Sequence, residues 1–374
     1  MRILLLGTRG VPAQYGGFET AVEEIGSRLA CRHHDVTVYC RNRGQAIKRY
    51  KGMRLVNLPA LRRRSLETLS HTLLSSVHAI ATRGKPDVIL LFNSANIVAM
   101  PLLRLCRAPI IVHLDGLESR RDKWGRLGKR YYAWSERIAA RRANAVIADS
   151  QALAQIYRST YGIEPAFIAY GAPVRERGYM SERLTELGLG AGNFHLIVAR
   201  FEPENRVREA VSAYVAADAT MPLVVVGGAP YADAYVASIK EVAAGANVHM
   251  LGPVYDQELL DALYANCSSY VHGHTVGGTN PSLLRAMGAG AVCLASSVVF
   301  NREVLNGGGM YWRDAEELAG HYEWVERHPE AWPVFQQQNQ TRVASTYSWD
   351  SMTDQVEDLF EAVQALAGLK TSRR

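Results

Sequence analysis

The chain has 374 residues, 48% apolar and 21% charged, a composition that excludes disorder and a length that suits two domains of about 150–200 residues each. No apolar run approaches the roughly 20 residues that cross a bilayer, and the opening run at residues 3–6 is too short for a signal-peptide core, so the expected location is the cytoplasm. The net charge of +6 is unevenly placed: residues 1–174 hold 27 Lys and Arg against 12 Asp and Glu, the remainder 15 against 24, and a front half this basic calls for an acidic partner such as nucleic acid, anionic lipid headgroups or a phosphorylated substrate.

In chain order, short apolar runs alternate with helical patterns, the mark of βαβ units and a parallel sheet. Strands are predicted at 3–6, 36–39, 53–57, 88–91, 110–113, 145–148 and 166–169, with helices at 19–32, 66–82, 96–106, 127–142 and 151–157. The pattern breaks near 173–178, where a linker is expected. A second series then runs through strands at 196–199, 223–226, 248–251, 269–271 and 292–295. The segment 349–366 spaces Met352, Val356, Leu359, Phe360, Val363 and Leu366 at helical intervals. The architecture is therefore α/β with two Rossmann-like domains. The five cysteines, Cys31, Cys40, Cys106, Cys267 and Cys293, have no CxxC spacing and read as small apolar residues of a reduced chain, not as metal ligands or a disulfide framework.

Four stretches carry candidate chemistry. Gly7-Thr8-Arg9-Gly10 follows the first strand, and Gly16-Gly17 precedes a helix; the spacing does not match the dinucleotide fingerprint, so an NAD domain is not expected. His113-Leu114-Asp115-Gly116-Leu117-Glu118 leaves a buried strand through an Asp-Gly turn. Arg200 follows the first strand of the second series, and a guanidinium suits phosphate through paired donors. The stretch from His272 to Gly290 contains Gly277-Gly278-Thr279-Asn280-Pro281. There a glycine pair lets backbone amides approach a ligand, and a helix start presents unpaired N–H groups and a positive dipole end. Basic runs at Arg62-Arg63-Arg64 and from Arg120 to Arg130 lie beside apolar and Trp side chains. They suit an anionic membrane surface; no nucleic-acid-binding motif or aromatic ladder accompanies them.

The two longest of these stretches resemble glycosyltransferase family 4, and within it a rhamnosyltransferase-like branch. That branch opens with G-T-R-G-x-P-A-x-Y-G-G-F-E-T, here residues 7–20, and carries an H-G-H-x-V-G-G-T-N-P-S-L loop, here residues 272–283. The resemblance implies the GT-B architecture: two facing Rossmann-like domains, residues 1–174 for the acceptor and 175–348 for the nucleotide-sugar donor, with a last helix (349–374) crossing back to the first. It implies a retaining glycosyltransferase that needs no metal or other cofactor, moving a sugar, L-rhamnose from dTDP-rhamnose being the nearest example, onto a saccharide or lipid-linked saccharide for a cell-surface polysaccharide. Such an enzyme works on the inner membrane face, with no nucleic-acid partner.

By the same resemblance His113 lies beside the transferred sugar. Arg200 holds the diphosphate with Gly277, Gly278, Thr279 and Asn280. Gly16 and Gly17 close over donor phosphate and acceptor, Arg9 helps with an anion, and Asp115 and Glu118 order the loop or meet the acceptor. The family's usual lysine five residues after the arginine is Asn205 here, and the adjacent Arg206 falls on the next face of the turn. Two glutamates eight positions apart are usual in the family; they are Gly277 and Arg285 in this chain. A cation cannot accept a hydrogen bond from a ribose hydroxyl. Other atoms then read the ribose, or Arg285 is turned to phosphate, or the donor site has decayed into that of an inactive binding protein. A nucleotide-sugar epimerase on the same architecture is the other alternative.

Overall fold

The computed structural model describes residues 1–13, 16–41, 47–61, 66–82, 84–114, 116–121, 124–179, 181–229 and 233–372. They form two compact units: the described parts of 1–120, 124–170 and 349–374 make the first, and those of 121–123 and 171–348 the second.

The first unit holds β1 (Arg2–Leu6), β2 (Asp35–Cys40), β3 (Arg49–Tyr50), β4 (Met53–Asn57), β5 (Val88–Phe92), β6 (Ile110–Leu114), β7 (Ala145–Ala148) and β8 (Ala166–Phe167). They lie in the order β3-β4-β2-β1-β5-β6-β7-β8, parallel throughout except for the β3–β4 hairpin. Ile3 to Leu6 of β1 and all of β5 are buried, the near-continuous apolar run expected of parallel strands covered on both faces. The chain leaves β1 for β2 on one side and reaches β5 on the other, so the order reverses at β1, the kind of point where open α/β sheets take ligands. There Gly7 has φ +98°, and a Cβ on it would lie 2.4 Å from the Phe92 carbonyl; the two strand ends meet backbone to backbone.

The last helix, Trp349–Ser372, belongs to this first unit, as the family resemblance implies. It packs on the helix Gly17–Cys31 and buries Met352, Val356, Phe360 and Val363, whereas Leu366 is 60% exposed. Arg28 pairs with Asp350 (2.7 Å), Arg32 with Asp354 and Glu357 (both 2.6 Å), and His34 Nε2 with Glu357 (2.6 Å). Ion pairs at a surface contribute about 0.2–1 kcal/mol each, while truncating a buried Phe costs about 3–5 kcal/mol, so the apolar seam outweighs the more exposed of these pairs, Arg28–Asp350 and Arg32–Asp354.

The helix predicted at 96–106 is instead a 3₁₀ turn at Ser94–Ala99, one α-helical turn at Met100–Leu103 and a further 3₁₀ turn at Arg104–Cys106. Asn93, at φ +68°, caps Ala95 N–H, and Pro101 offers no amide to a continuous helical ladder.

The second unit holds β9 (His195–Arg200), β10 (Leu223–Gly228), β11 (Val248–Gly252), β12 (Ser269–His272), β13 (Val292–Ser296) and β14 (Gly309–Trp312). The order β11-β10-β9-β12-β13-β14 reverses between β9 and β12, and every pairing is parallel. The edge strand β14 was not predicted: only Met310-Tyr311-Trp312 follow a run of three glycines, too short a signal to separate from a loop.

At the amino ends of β9 and β12, His195 is wholly buried. Its Nδ1 lies 2.8 Å from Ser269 Oγ and its Nε2 3.1 Å from Glu326 Oε1. The Glu326 carboxylate also accepts from the Thr220 amide (2.8 Å), the Thr220 hydroxyl (2.7 Å) and the Met221 amide (2.9 Å). Burial alone would raise the Glu326 carboxyl, but these hydrogen bonds outweigh it and bring its pKa to about 2 from the ordinary 4.5. A carboxyl whose folded pKa is depressed stabilises the fold above its unfolded pKa and loses that contribution as pH falls through the folded value. Glu326→Gln is therefore expected to lower the stability of the second unit by about 1–3 kcal/mol at neutral pH. The gap from wild type should close between pH 4.5 and 2, as read by urea denaturation at a series of pH values.

Candidate active site

In open α/β sheets ligands gather where the strand order reverses, outside the carboxyl ends. In the second unit that point lies between Arg200, the last residue of β9, and His272, the last of β12. Two loops meet there. A Cβ on Gly273 would lie 2.3 Å from the Asn205 carbonyl, so only glycine lets the β12 loop close against the segment after β9. Asn205 donates its side-chain amide to the Arg200 carbonyl (2.8 Å), and the Glu204 carbonyl accepts from both the amide and the hydroxyl of Thr275 (3.0 Å each).

The β12 loop then turns through Gly277, at φ +142°, into the helix Pro281–Gly288. Asn280 caps it, its Oδ1 accepting from Ser282 N–H (3.1 Å), and Pro281 occupies the first turn, where its missing N–H costs nothing. No acidic residue lies in that turn, so the turn itself sets no charge against the positive end of the helix. Thr279 is buried, and Gly277 and Gly278 are partly exposed.

Three arginines near this point have different fates. Arg206, in a left-handed conformation at φ +51°, is locked by Glu209, by Ser296 Oγ (2.9 Å) and by the Arg313 carbonyl (2.7 Å), and lies over the Trp312 ring. Arg285 donates to Asp261 Oδ1 (2.6 Å) and Gln257 Oε1 (3.0 Å) on the helix Gln257–Asn266, and Arg175 approaches the same Asp261 at 3.2 Å. Its guanidinium is thus occupied by a carboxylate on the neighbouring helix. Arg200 is exposed, and among the described residues its guanidinium makes no ion pair or hydrogen bond.

In the first unit His113 ends near the Gly16–Gly17 helix start. Its ring stacks between Phe92 (5.1 Å) and Tyr170 (5.5 Å), and Phe18 meets it edge-on at 5.6 Å. The side chain is wholly buried, and among the described residues neither ring nitrogen has a hydrogen-bond partner. Burial pushes its pKa down to about 3, against a weak opposing pull from the Leu114 backbone, so the imidazole is neutral.

The glycine loop is clasped by two glutamates one helical turn apart: Glu19 accepts from the Arg9 amide (3.0 Å), and Glu23 from the Ala13 amide (2.7 Å). Glu23 also takes the Tyr50 hydroxyl (3.0 Å) and Lys51 (2.6 Å). Sequence reading passed over this pair, whose signal was an i, i+4 acid spacing directly after Gly16-Gly17. Glu19 also puts a carboxylate in the first turn of the helix, which makes this helix start a poorer anion site than Pro281–Gly288. Glu118 accepts from the Trp124 indole (2.9 Å) and so orders its own loop. Asp115 and Arg62 to Arg64 lie outside the described residues, as do Asp122 and Lys123 of the second basic run.

Residues 16–171 match the family described as glycosyl transferase 4-like domain, and residues 187–341 match glycosyl transferases group 1. No curated protein sequence matches the chain significantly. Among solved structures, sucrose-phosphate synthase from Thermosynechococcus elongatus is 19% identical with a TM-score of 0.84, over 98% of this chain and 99% of that one. HepE from Anabaena, in complex with UDP-glucose, is 17% identical with a TM-score of 0.78, over 97% and 100%. An α,α-trehalose-phosphate synthase from Burkholderia vietnamiensis is 13% identical with a TM-score of 0.76, over 97% and 100%. At these identities the structural likeness speaks for the fold, and the two family matches, one to each half of the chain, speak for the chemistry: this protein is a glycosyltransferase of the GT-B type.

Proposed function

We propose that the second unit grips the diphosphate of a nucleotide sugar between Arg200 and the amides of Gly277, Gly278 and Thr279, and that the first unit takes the acceptor. The observation that carries this reading is the Arg200 guanidinium, unpaired among the described residues, at the same strand-order reversal as a helix start with no acid in its first turn. The Anabaena HepE structures, which hold UDP and UDP-glucose, support a nucleotide-sugar donor. Fixed donors aimed at the departing diphosphate act where charge develops, which is where they lower a barrier most, and the reaction proceeds without a metal. His113, neutral in its aromatic stack, can donate one hydrogen bond and accept another. It does so without setting a cation against a sugar ring that becomes electron-poor during transfer.

The finer reading is a retaining transfer, with L-rhamnose from dTDP-rhamnose as the donor to try first and a lipid-linked saccharide as acceptor. The helix Glu67–Ala81 leaves Leu73, Leu74, Val77 and Ile80 exposed along one side, on the half of the chain that carries the excess of Lys and Arg. An apolar strip on a basic body suits the surface of an anionic leaflet, where each nearby Lys or Arg contributes about 1 kcal/mol.

Arg200→Ala should lower kcat/KM for the nucleotide sugar by about 100- to 1000-fold with an unchanged circular dichroism spectrum, and Arg200→Lys should recover part of the loss. A wild-type rate in Arg200→Ala would remove this residue from the mechanism. In vesicle sedimentation, the protein should pellet with phosphatidylglycerol-containing vesicles and remain in solution with pure phosphatidylcholine. Added salt should weaken the association, and Val77→Asp should abolish it. Equal pelleting with both lipids would defeat the electrostatic docking.

A further inference from the structure

Two imidazoles at the end of β12 carry polar atoms that none of the described residues satisfies. His272 is wholly buried and its Nε2 has no partner. His274 lies parallel to it at 4.3 Å, with an interplanar angle of 9°, and its Nδ1 is buried without a partner. On the adjoining loop the Glu204 Oε2 is in the same condition, and the Glu204 backbone is bound to Thr275, the residue after His274. Buried polar atoms without partners are rare in folded proteins, and a group of them on two joined loops marks a place where a ligand completes the hydrogen bonding.

The bonds behind His272 determine which of its nitrogens is left open. Asn280 Oδ1 accepts from the Ser282 amide (3.1 Å) and from the Ser282 hydroxyl (2.8 Å). Having given its one proton to Asn280, the Ser282 oxygen accepts from the Tyr270 hydroxyl (2.8 Å). Tyr270 has then committed its own proton, so its oxygen can only accept from His272 Nδ1, 3.3 Å away. Burial holds the ring neutral, with a pKa pushed down to about 3. A neutral imidazole with its proton on Nδ1 keeps a lone pair on Nε2. The open atom is an acceptor, and so is the Glu204 oxygen. Such a group does not suit a phosphate, whose oxygens are themselves acceptors; it suits the hydroxyl groups of a sugar. His274, partly exposed, is the first of the two rings a ligand would meet.

We propose that His272, His274 and Glu204 form a hydroxyl-reading subsite for the glycosyl group of the nucleotide sugar, separate from the amides and the Arg200 guanidinium that take the diphosphate. This assignment rests on the diphosphate reading above. It divides donor recognition between a charged part, shared by all nucleoside diphosphates, and a neutral part that selects the sugar.

The test is isothermal titration calorimetry of the full chain with four matched pairs: UDP and UDP-glucose, dTDP and dTDP-rhamnose, GDP and GDP-mannose, ADP and ADP-glucose. For the pair that wild type binds, His272→Phe keeps the ring stack and removes the acceptor. It should weaken the nucleotide sugar about tenfold and leave the free diphosphate nearly unchanged, with His272→Gln restoring part of the loss. Folding of each variant is checked by thermal denaturation. Should His272→Phe not fold, His274→Phe, on the more exposed ring, is read in the same way. Equal weakening of both ligands, or of neither, would overturn the subsite and leave the diphosphate reading standing. Failure of wild type to bind any of the eight ligands would overturn the diphosphate reading itself.

Discussion

The candidate site of the second unit depends on one close approach: the backbone of Gly273 against the Asn205 carbonyl, with no room for a β-carbon between them. That contact allows Glu204 to bind Thr275 through its carbonyl and Asn205 to bind back to Arg200. The loop after β9 and the loop after β12 therefore behave as one body, and the guanidinium, the histidine pair and the capped helix start are positioned by backbone geometry instead of by long, adaptable side chains. Preorganisation of this kind is what fixed electrostatic stabilisation requires. Any side chain at Gly273 would separate the two loops and move every donor at once.

Much of this was legible in the chain itself. Runs such as Ile3–Leu6 and Val88–Phe92 are apolar on both faces and bounded by glycine, asparagine or helical patterns, so strand and helix order follow from periodicity. The return of the last helix could be anticipated only through family resemblance, because helical spacing shows which face is buried and says nothing about its partner. The broken helix at Ser94–Cys106 was misread because apolar spacing there is helical, while the left-handed Asn93 and the position of Pro101 act locally on the backbone. At the site, Arg200 and the Gly277–Asn280 turn announce themselves by residue type. The engagement of Arg285 with Asp261 and Gln257 does not, since it joins two helices whose packing is a tertiary fact. Glu19 and Glu23 escaped notice for the same reason: an acid pair at i and i+4 reads as solvated helix surface until the loop it clasps is seen.

Two polar clusters of the second unit lie at opposite strand ends. At the amino ends, His195, Thr220 and Met221 converge on Glu326, and Ser269 meets the other nitrogen of His195. At the carboxyl ends, His272, His274 and Glu204 each keep a buried polar atom without a partner among the described residues, and the Arg200 guanidinium is unpaired among them.

Because the first unit is built from residues 1–120 and 124–170 and then again from 349 onward, its sequence brackets nearly all of the second. During vectorial synthesis the helix Gly17–Cys31 leaves the ribosome more than three hundred residues before the Trp349–Ser372 helix that covers it. For that interval the seam that will receive Met352, Val356 and Phe360 has no cover, while the whole of the second sheet has already been made. The order of assembly can thereby run against the order of the genetic message: the later-encoded unit can be completed first, and the earlier one is sealed only once the Trp349–Ser372 helix has been made.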